Sequence, residues 1–244
     1  MKFLTRNLIF ATLALVTMAV FTTNALARDP VYLGVGGKAG ASNWRGNNDG
    51  NSDAYQAAAG QLGLNISVLY KNFYSGLSIQ GGTFDFNDGS PDRIDKDGTT
   101  LAPPLDGAKI ERSEFDLVAG YYFWSKVSLF LDLKAVGYDW VDFEYSRTSY
   151  GLGFGVSGFI PLSDKWSLYG SAGIVPLSIQ SEGKKIGDGV GTALTFGAQY
   201  KITPHGHISL SSNFQGHQYN FDNDQKQAYT IGSLVFGYNY YFSL

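Results

Sequence analysis

Five charged residues occupy alternate positions in two neighbouring segments of the sequence. Arg112, Glu114 and Asp116 alternate in the first segment, and Asp132 and Lys134 alternate in the second. If both segments are strands of one hairpin, all five side chains point to one face and Asp116 lies opposite Lys134. Charges removed from water must be paired, so this pattern predicts either an ion-paired plug or a polar passage whose charges select solutes.

The three histidines offer little for catalysis. His205 and His207 fall at a predicted short turn, and Ser209 follows His207 without a flanking carboxylate. A hydrolase needs a base positioned beside a nucleophile or an activating carboxylate, and His217 is the one remaining candidate. No nucleophile-elbow, zinc-protease or phosphate-loop motif is present. We therefore assign no catalytic residue.

Acidic runs in the predicted loops fail the test for a metal site. Asp92, Asp95 and Asp97 precede Gly98, but calcium-loop spacing would require an acid at Arg93 and a later glutamate. The chain has no cysteine, which excludes disulfides and thiol chemistry. We expect no metal and no cofactor; these loops could still bind divalent cations loosely or bridge lipopolysaccharide.

Alternating segments across the chain must position these residues. The pattern predicts ten strands, at 31–41, 57–70, 73–86, 110–124, 127–141, 147–162, 166–180, 190–202, 207–220 and 228–244. Short turns alternate with longer polar connections near 42–56, 87–109, 181–189 and 221–227, with one shorter connection near 142–146. This is typical of a transmembrane antiparallel up-and-down β-barrel of about ten strands, with eight as the alternative.

Register supports the same interpretation at three short turns. Pairing Tyr70 with Phe73 sets Leu64 against Ile79, so apolar residues meet apolar residues. Pairing Phe123 with Val127 sets Asp116 against Lys134. Pairing Leu162 with Trp166 sets Gly155 against Gly173.

The apolar register is predicted to face lipid rather than a soluble core. Stripes such as Leu129, Leu131 and Leu133 run along strands of about fourteen residues, which suits a tilted membrane-spanning strand better than a soluble sheet. Gly151, Gly153 and Gly155 are predicted to face inward. They either leave room for large neighbours, namely Tyr74, Tyr122, Tyr138, Tyr169 and Tyr241, or leave a groove for solute.

The N-terminus reads as an export signal. Lys2 and Arg6 precede a fourteen-residue apolar stretch, and Ala25-Leu26-Ala27 fits a cleavage site. We predict a signal peptide at 1–27 and one barrel domain at 28–244. The net charge of −3 argues against nucleic acid as a partner. A mean hydropathy of −0.10 is compatible with a barrel, because lipid-facing and lumen-facing residues cancel.

The last strand carries a resemblance to a known superfamily. Phe236, Tyr238, Tyr240 and Phe242 alternate before the final Leu244. This resembles the C-terminal insertion signal of bacterial outer-membrane β-barrel proteins, although that signal usually closes in Phe or Trp. The resemblance implies location in the outer membrane of a Gram-negative cell, contact with lipid and lipopolysaccharide, and insertion by the barrel assembly machinery.

Three functions are compatible with such a barrel. The leading hypothesis is a monomeric, porin-like narrow channel for small polar solutes, with the five lumen charges setting its preference. The second is a plugged structural or adhesin-like barrel whose loops at 42–56, 87–109 and 181–189 bind surface or lipopolysaccharide partners. The third is a lipid- or peptide-hydrolysing enzyme that uses His217.

Overall fold

The structure, a computed structural model, describes residues 30–48, 55–87, 89–101 and 107–244. The predicted signal peptide at 1–27 lies outside these residues. All regular structure in the described part of the chain is β. Within it, no helix has the length and apolar character that a bilayer crossing requires.

The described residues form twelve strands, of which ten are long and two belong to a small hairpin. The strands are β1 Val31–Asn48, β2 Tyr55–Tyr70, β3 Phe73–Phe86, β4 Arg93–Ile94, β5 Thr100–Leu101, β6 Ala108–Trp124, β7 Val127–Trp140, β8 Tyr145–Pro161, β9 Trp166–Ser181, β10 Lys184–Lys201, β11 Gly206–Phe221 and β12 Lys226–Ser243.

The ten long strands close into one antiparallel barrel. The ring order is β1-β12-β11-β10-β9-β8-β7-β6-β3-β2, so sequence neighbours are ring neighbours and β1 meets β12 at the seam. The up-and-down topology and the count of ten are confirmed, and the eight-stranded alternative is wrong. The predicted bounds differ chiefly at the long-loop end, where the strands run further than the alternation indicated.

The three predicted registers are confirmed in the strand interiors. Leu64 faces Ile79, Asp116 faces Lys134, and Gly155 faces Gly173. One turn differs: Val127 pairs with Trp124 rather than with Phe123, because the register shifts between Tyr122 and Trp124. A bulge absorbs the extra residue and leaves the faces of the hairpin unchanged.

Side chains alternate between an apolar outer face and a mixed inner face. Leu129, Leu131 and Leu133 are exposed on the outside, as are Phe236 and Tyr238 of the last strand. The buried hydrophobic cluster lies inside the barrel, near the end at which the long connections join the strands. This arrangement is the reverse of that in a soluble protein, because the strands present apolar side chains on the outer surface rather than burying them.

The two ends of the barrel differ. At the short-turn end, connections at 71–72, 125–126, 162–165 and 202–205 join the strands. At the opposite, long-loop end, several connections are shorter than predicted. The expected loops at 42–56 and 181–189 are mostly strand, because β1 extends to Asn48 and β9 and β10 are joined by a two-residue turn. Residues Glu182 and Gly183 at that turn both have positive φ, which permits the tight connection.

The remaining long connection lies between β3 and β6 and carries the hairpin β4–β5. Arg93 pairs with Leu101 and Ile94 pairs with Thr100. Ile94 is buried, so this hairpin packs down onto the long-loop end of the barrel. We call β4–β5 and the turn between them, residues 93–101, the cover hairpin.

Candidate functional site in the barrel lumen

The predicted charge cluster is assembled on β6 and β7, and all five of its members face the lumen. Lys134 forms ion pairs with Glu114 and Asp116, and Arg112 Nη1 lies 2.8 Å from Glu114 Oε2. Arg112, Glu114 and Lys134 are almost fully buried. Asp132 is half-buried and forms no ion pair with a described residue, so the structure joins four of the five charges and leaves the fifth beside them.

Neutral side chains complete the coordination of Glu114. Gln80 Nε2 donates to Glu114 Oε2 at 3.0 Å, and Gln215 Nε2 donates to Glu114 Oε1 at 2.9 Å. Arg112 Nη2 in turn donates to Gln215 Oε1 at 2.8 Å. With this many donors, the buried carboxylate is fully satisfied, which is the condition under which a buried charge is tolerated.

The contact between Arg112 and Gln215 crosses the whole lumen. Arg112 stands on β6 and Gln215 on β11, and these strands are five positions apart in a ring of ten. They are therefore diametrically opposed. A direct hydrogen bond between opposed walls means that side chains span the lumen at this level.

A second bridge lies one layer nearer the long-loop end. Tyr138 of β7 and Tyr229 of β12 are joined through their hydroxyls, and these strands are also five positions apart. Tyr219 Oη lies 2.9 Å from Tyr229 Oη and 3.0 Å from Ser149 Oγ. Trp44 packs 5.1 Å from Tyr229 and 5.5 Å from Tyr138, measured between ring centroids.

Together these rings form a layer that we call the aromatic plug. It consists of Trp44, Phe84, Tyr138, Trp140, Tyr219 and Tyr229, each with at most 3% of its surface exposed. Its members come from β1, β3, β7, β11 and β12, which are five of the ten strands of the barrel. Mutual edge and tilted contacts of this kind pack aromatic rings to high density.

Arg147 lies within the plug and was not singled out from the sequence. Its guanidinium sits 5.1 Å from the Tyr138 ring and 5.2 Å from the Tyr219 ring, and Nη2 donates to Gln227 Oε1 at 2.8 Å. No ion pair links it to a described acid. Aromatic faces lie around this guanidinium and stabilise it through cation–π contacts.

His217 belongs to this buried network. It stacks on Tyr229 at 4.7 Å, and its Nδ1 lies 3.4 Å from Tyr219 Oη. Among the described residues, no Asp or Glu makes a hydrogen bond with it. The chemistry that a hydrolase needs, a base oriented by a carboxylate, is thus not assembled around His217.

The cover hairpin closes the long-loop end above the plug. Tyr145 Oη donates to Ile94 O at 2.9 Å and accepts from Ile94 N at 3.0 Å. Asn223 Nδ2 donates to Gly98 O at 2.7 Å. Two exposed ion pairs tie the hairpin to the far rim: Lys96 with Glu182 at 3.1 Å, and Lys184 with Asp97 at 3.5 Å. The hydrogen bond to Glu182 raises the pKa of Lys96.

Below the plug, toward the short-turn end, the lumen opens. A cavity of about 240 Å³ adjoins the charge cluster, and a second of about 580 Å³ lies beyond it. Ser171 and Thr195 line both, so the two cavities adjoin. The described residues therefore leave the lumen open toward the short-turn end and place the aromatic plug and the cover hairpin at the long-loop end. We call the open part of the lumen below the plug the well.

The inward glycines provide room for neighbours, although not for those expected. A Cβ at Gly155 would lie 2.3 Å from Phe130 Cζ, and one at Gly153 would lie 2.3 Å from Val175 Cγ2. Three of the five tyrosines pack over other glycines: Tyr74 over Gly120, Tyr169 over Gly197 and Tyr241 over Gly34. The groove at 151–155 is therefore filled by Phe130 and Val175.

The described residues contain no group of three or more His, Cys, Asp or Glu placed to hold a metal ion. Asp95 instead caps its own turn, since Oδ1 accepts from the backbone nitrogens of Asp97 and Thr99 at 2.9 and 2.8 Å. The acidic run in this loop thus shapes the cover hairpin.

Solved structures of bacterial outer-membrane proteins align with this structure over most of its length. The outer-membrane protease OmpT from Escherichia coli aligns over 88% of this chain and 99% of its own, at 12% identity and a TM-score of 0.57. An outer-membrane channel from Pseudomonas putida F1 aligns over 89% and 97%, at 15% identity and a TM-score of 0.47. Neisserial surface protein A aligns over 84% and 96%, at 11% identity and a TM-score of 0.37.

At 12% identity, the alignment with OmpT establishes a shared fold and does not establish a shared function. No protein-family model matches the sequence, and no curated protein matches it. The chain therefore has the fold of the bacterial outer-membrane β-barrels.

Proposed function

We propose that this chain is a closed, monomeric barrel of a Gram-negative outer membrane. Residues 1–27 direct its export as a signal peptide and are then cleaved. The apolar outer face supports insertion in lipid, where only a closed barrel or a helix satisfies its backbone hydrogen bonds. The short-turn end faces the periplasm, as in barrels with short periplasmic turns. Outer-membrane lipid and lipopolysaccharide surround the barrel, and the assembly machinery inserts it.

The observation that carries closure is the pair of bridges across the lumen. Arg112 meets Gln215, and Tyr138 meets Tyr229, each from diametrically opposed strands. Side chains that are already ion-paired with one another offer no unpaired charge to a permeating ion. We infer that the charge cluster fills the barrel, and that the protein acts as a plugged barrel presenting its rim and cover hairpin to surface partners.

Single-channel recording tests this proposal directly. Refolded residues 28–244 in a planar bilayer should give no discrete conductance steps, with folding verified by heat-dependent gel mobility. A matched variant replaces the cover hairpin by a short Gly-Ser linker and carries Trp44→Ala, Tyr138→Ala and Gln215→Ala, so that both bridges are removed; it should conduct. Steady, reproducible steps from the folded unaltered protein would overturn closure.

A gated channel for small polar solutes is the second candidate. The polar well beneath the plug favours it, because displacement of the plug and the cover hairpin would connect that well to the other side. This hypothesis predicts rare openings of the unaltered protein, rather than silence. A hydrolytic function has no comparable support from the surroundings of His217.

A further inference from the structure

The wide end of the lumen has a charge balance unlike that of the deeper layers. The cavity of about 580 Å³ is lined by Lys165, Lys201 and His207, with Asp164 as its one acidic lining residue. Its volume falls within the usual range for small-molecule sites, which is about 300–1,000 Å³. This mouth is therefore large enough for a small solute and biased toward positive potential.

The two lysines at the mouth differ from the two cations of the charge cluster in having no carboxylate partner in the described part of the chain. Lys134 and Arg112 are each committed to carboxylates. By contrast, neither Lys165 nor Lys201 forms an ion pair with any described residue. Lys201 lies on the inward register of β10, opposite His207 of β11, so its side chain belongs to the lumen wall.

His207 adds a polar ring to the same wall. Its ring packs edge-on against Tyr241 at 5.1 Å, which fixes its plane. Its Nδ1 is buried and has no hydrogen-bond partner among the described residues. Hydroxyl and amide groups of Ser157, Ser171, Thr195 and Gln199 line the same cavity. Such donors satisfy the oxygens of an anion once a cation has attracted it.

We propose that the mouth of the well binds a small anionic solute, bearing a phosphate or a carboxylate, that enters from the short-turn end. Low-dielectric walls concentrate the field of Lys201 and Lys165 within the cavity, which raises the local concentration of anions. The proposal does not depend on whether the barrel conducts, because a blind well and a gated passage share this mouth.

Isothermal titration in amine-oxide micelles tests the proposal without lipid phosphate present. Inorganic phosphate and succinate serve as probes, and glycerol serves as the neutral comparison. Saturable binding of at least one anion is expected, with none for glycerol. Lys201→Gln and His207→Asn should each weaken it about tenfold, and raising the ionic strength should weaken it further. Lys184→Gln, at the opposite end, is the matched control and should leave it unchanged.

Two results would overturn the proposal. One is the absence of saturable binding for both anions with a barrel shown to be folded by its gel mobility. The other is equal binding by the Lys201→Gln variant and the unaltered protein. Repeating the titration in nanodiscs containing phosphatidylglycerol separates a free solute from a lipid headgroup. If neither free anion binds but phosphatidylglycerol is enriched around the barrel, Lys165 acts at the membrane surface and the lumen site is rejected.

Discussion

Glu114 is the residue on which the lumen charges converge. It accepts from Lys134, Arg112, Gln80 and Gln215, and its side chain is almost wholly buried. A buried ion pair contributes little compared with an apolar pair of similar size, but a buried charge without its partner is strongly destabilising. The residues of this cluster should therefore respond to single substitutions in stability more than in any transport property.

Substituting Lys134→Met leaves Glu114 and Asp116 short of their shared cation. We expect a loss of about 3–5 kcal/mol in the free energy of unfolding, because the removed partner leaves buried carboxylates uncompensated. Urea unfolding of the barrel in lipid vesicles measures it. Lys184→Met breaks an exposed pair with Asp97 and should change stability by no more than about 1 kcal/mol. Equal effects of the two changes would show that the cluster is solvated.

At the scale of elements, the cover hairpin is held by the buried side chain of Ile94 and by hydrogen bonds at its edges. Tyr145 binds the backbone of Ile94 on one side, and Asn223 binds Gly98 on the other. The ion pairs at the far rim are exposed and contribute little each. This distribution suggests that the hairpin can be fixed by one covalent link, and the absence of native cysteine makes such a link easy to assign.

The double variant Gly98→Cys and Asn223→Cys should form a disulfide that locks the hairpin. A Cβ at Gly98 would lie 3.7 Å from Asn223 Cβ, within the range for a disulfide. The left-handed φ of +80° at this position costs a non-glycine residue about 1–2 kcal/mol. If the barrel is gated by this hairpin, oxidation should abolish rare openings and reduction should restore them. Openings unaffected by oxidation would place any gate elsewhere.

Strand packing around the inward glycines gives a second test at this scale. Gly155→Val would set new carbons against Phe130 and the backbone oxygen of Ala172, and should cost about 1–3 kcal/mol in unfolding free energy. Gly60→Ala is the control, because an added Cβ there meets nothing within 4 Å. Vesicle unfolding should separate the two; a tolerated valine at 155 would mean that β8 and β9 shift freely.

For the molecule as a whole, contact of the outer face with lipid should make a charged side chain on that face destabilising. Leu131 is exposed near the middle of β7, and Asp139 lies on the same face near the strand's end. Leu131→Arg should destabilise the inserted barrel by about 2–4 kcal/mol, whereas Asp139→Arg should cost about 0–1 kcal/mol. The comparison is made by unfolding from vesicles. Equal and small effects would mean that this face meets water.

Alternation along each strand explains how much of the molecule the sequence could predict. The period of two assigns Leu131 to one face and Lys134 to the other, and a short turn brings Asp116 opposite Lys134. These local rules were sufficient for strands, register and the charge cluster. Arg147 could have been found in the same way, because it shares the inward register of Gly151 and Gly153.

Contacts across the lumen lie beyond such rules. The Arg112–Gln215 bond joins residues 103 apart in sequence, and the Tyr145–Ile94 bonds join an inward strand residue to a distant loop. Periodicity states which face a side chain occupies but not which opposed side chain it meets. That depends on ring closure and on the depth of each residue along the axis, so the aromatic plug and the cover hairpin required the three-dimensional structure.

The seam between β1 and β12 has a consequence for how the barrel is made. Ser42 and Ser233 share a hydrogen bond of 2.7 Å across it, although 191 residues separate them. Every other pair of neighbouring long strands is consecutive in sequence, with the cover hairpin lying between β3 and β6. Contacts of such long range form slowly, because chain entropy must be lost before they stabilise anything. The nine hairpin-like pairings can therefore assemble progressively as an open sheet, and closure of this single seam becomes the slow, committing event in the protein's maturation.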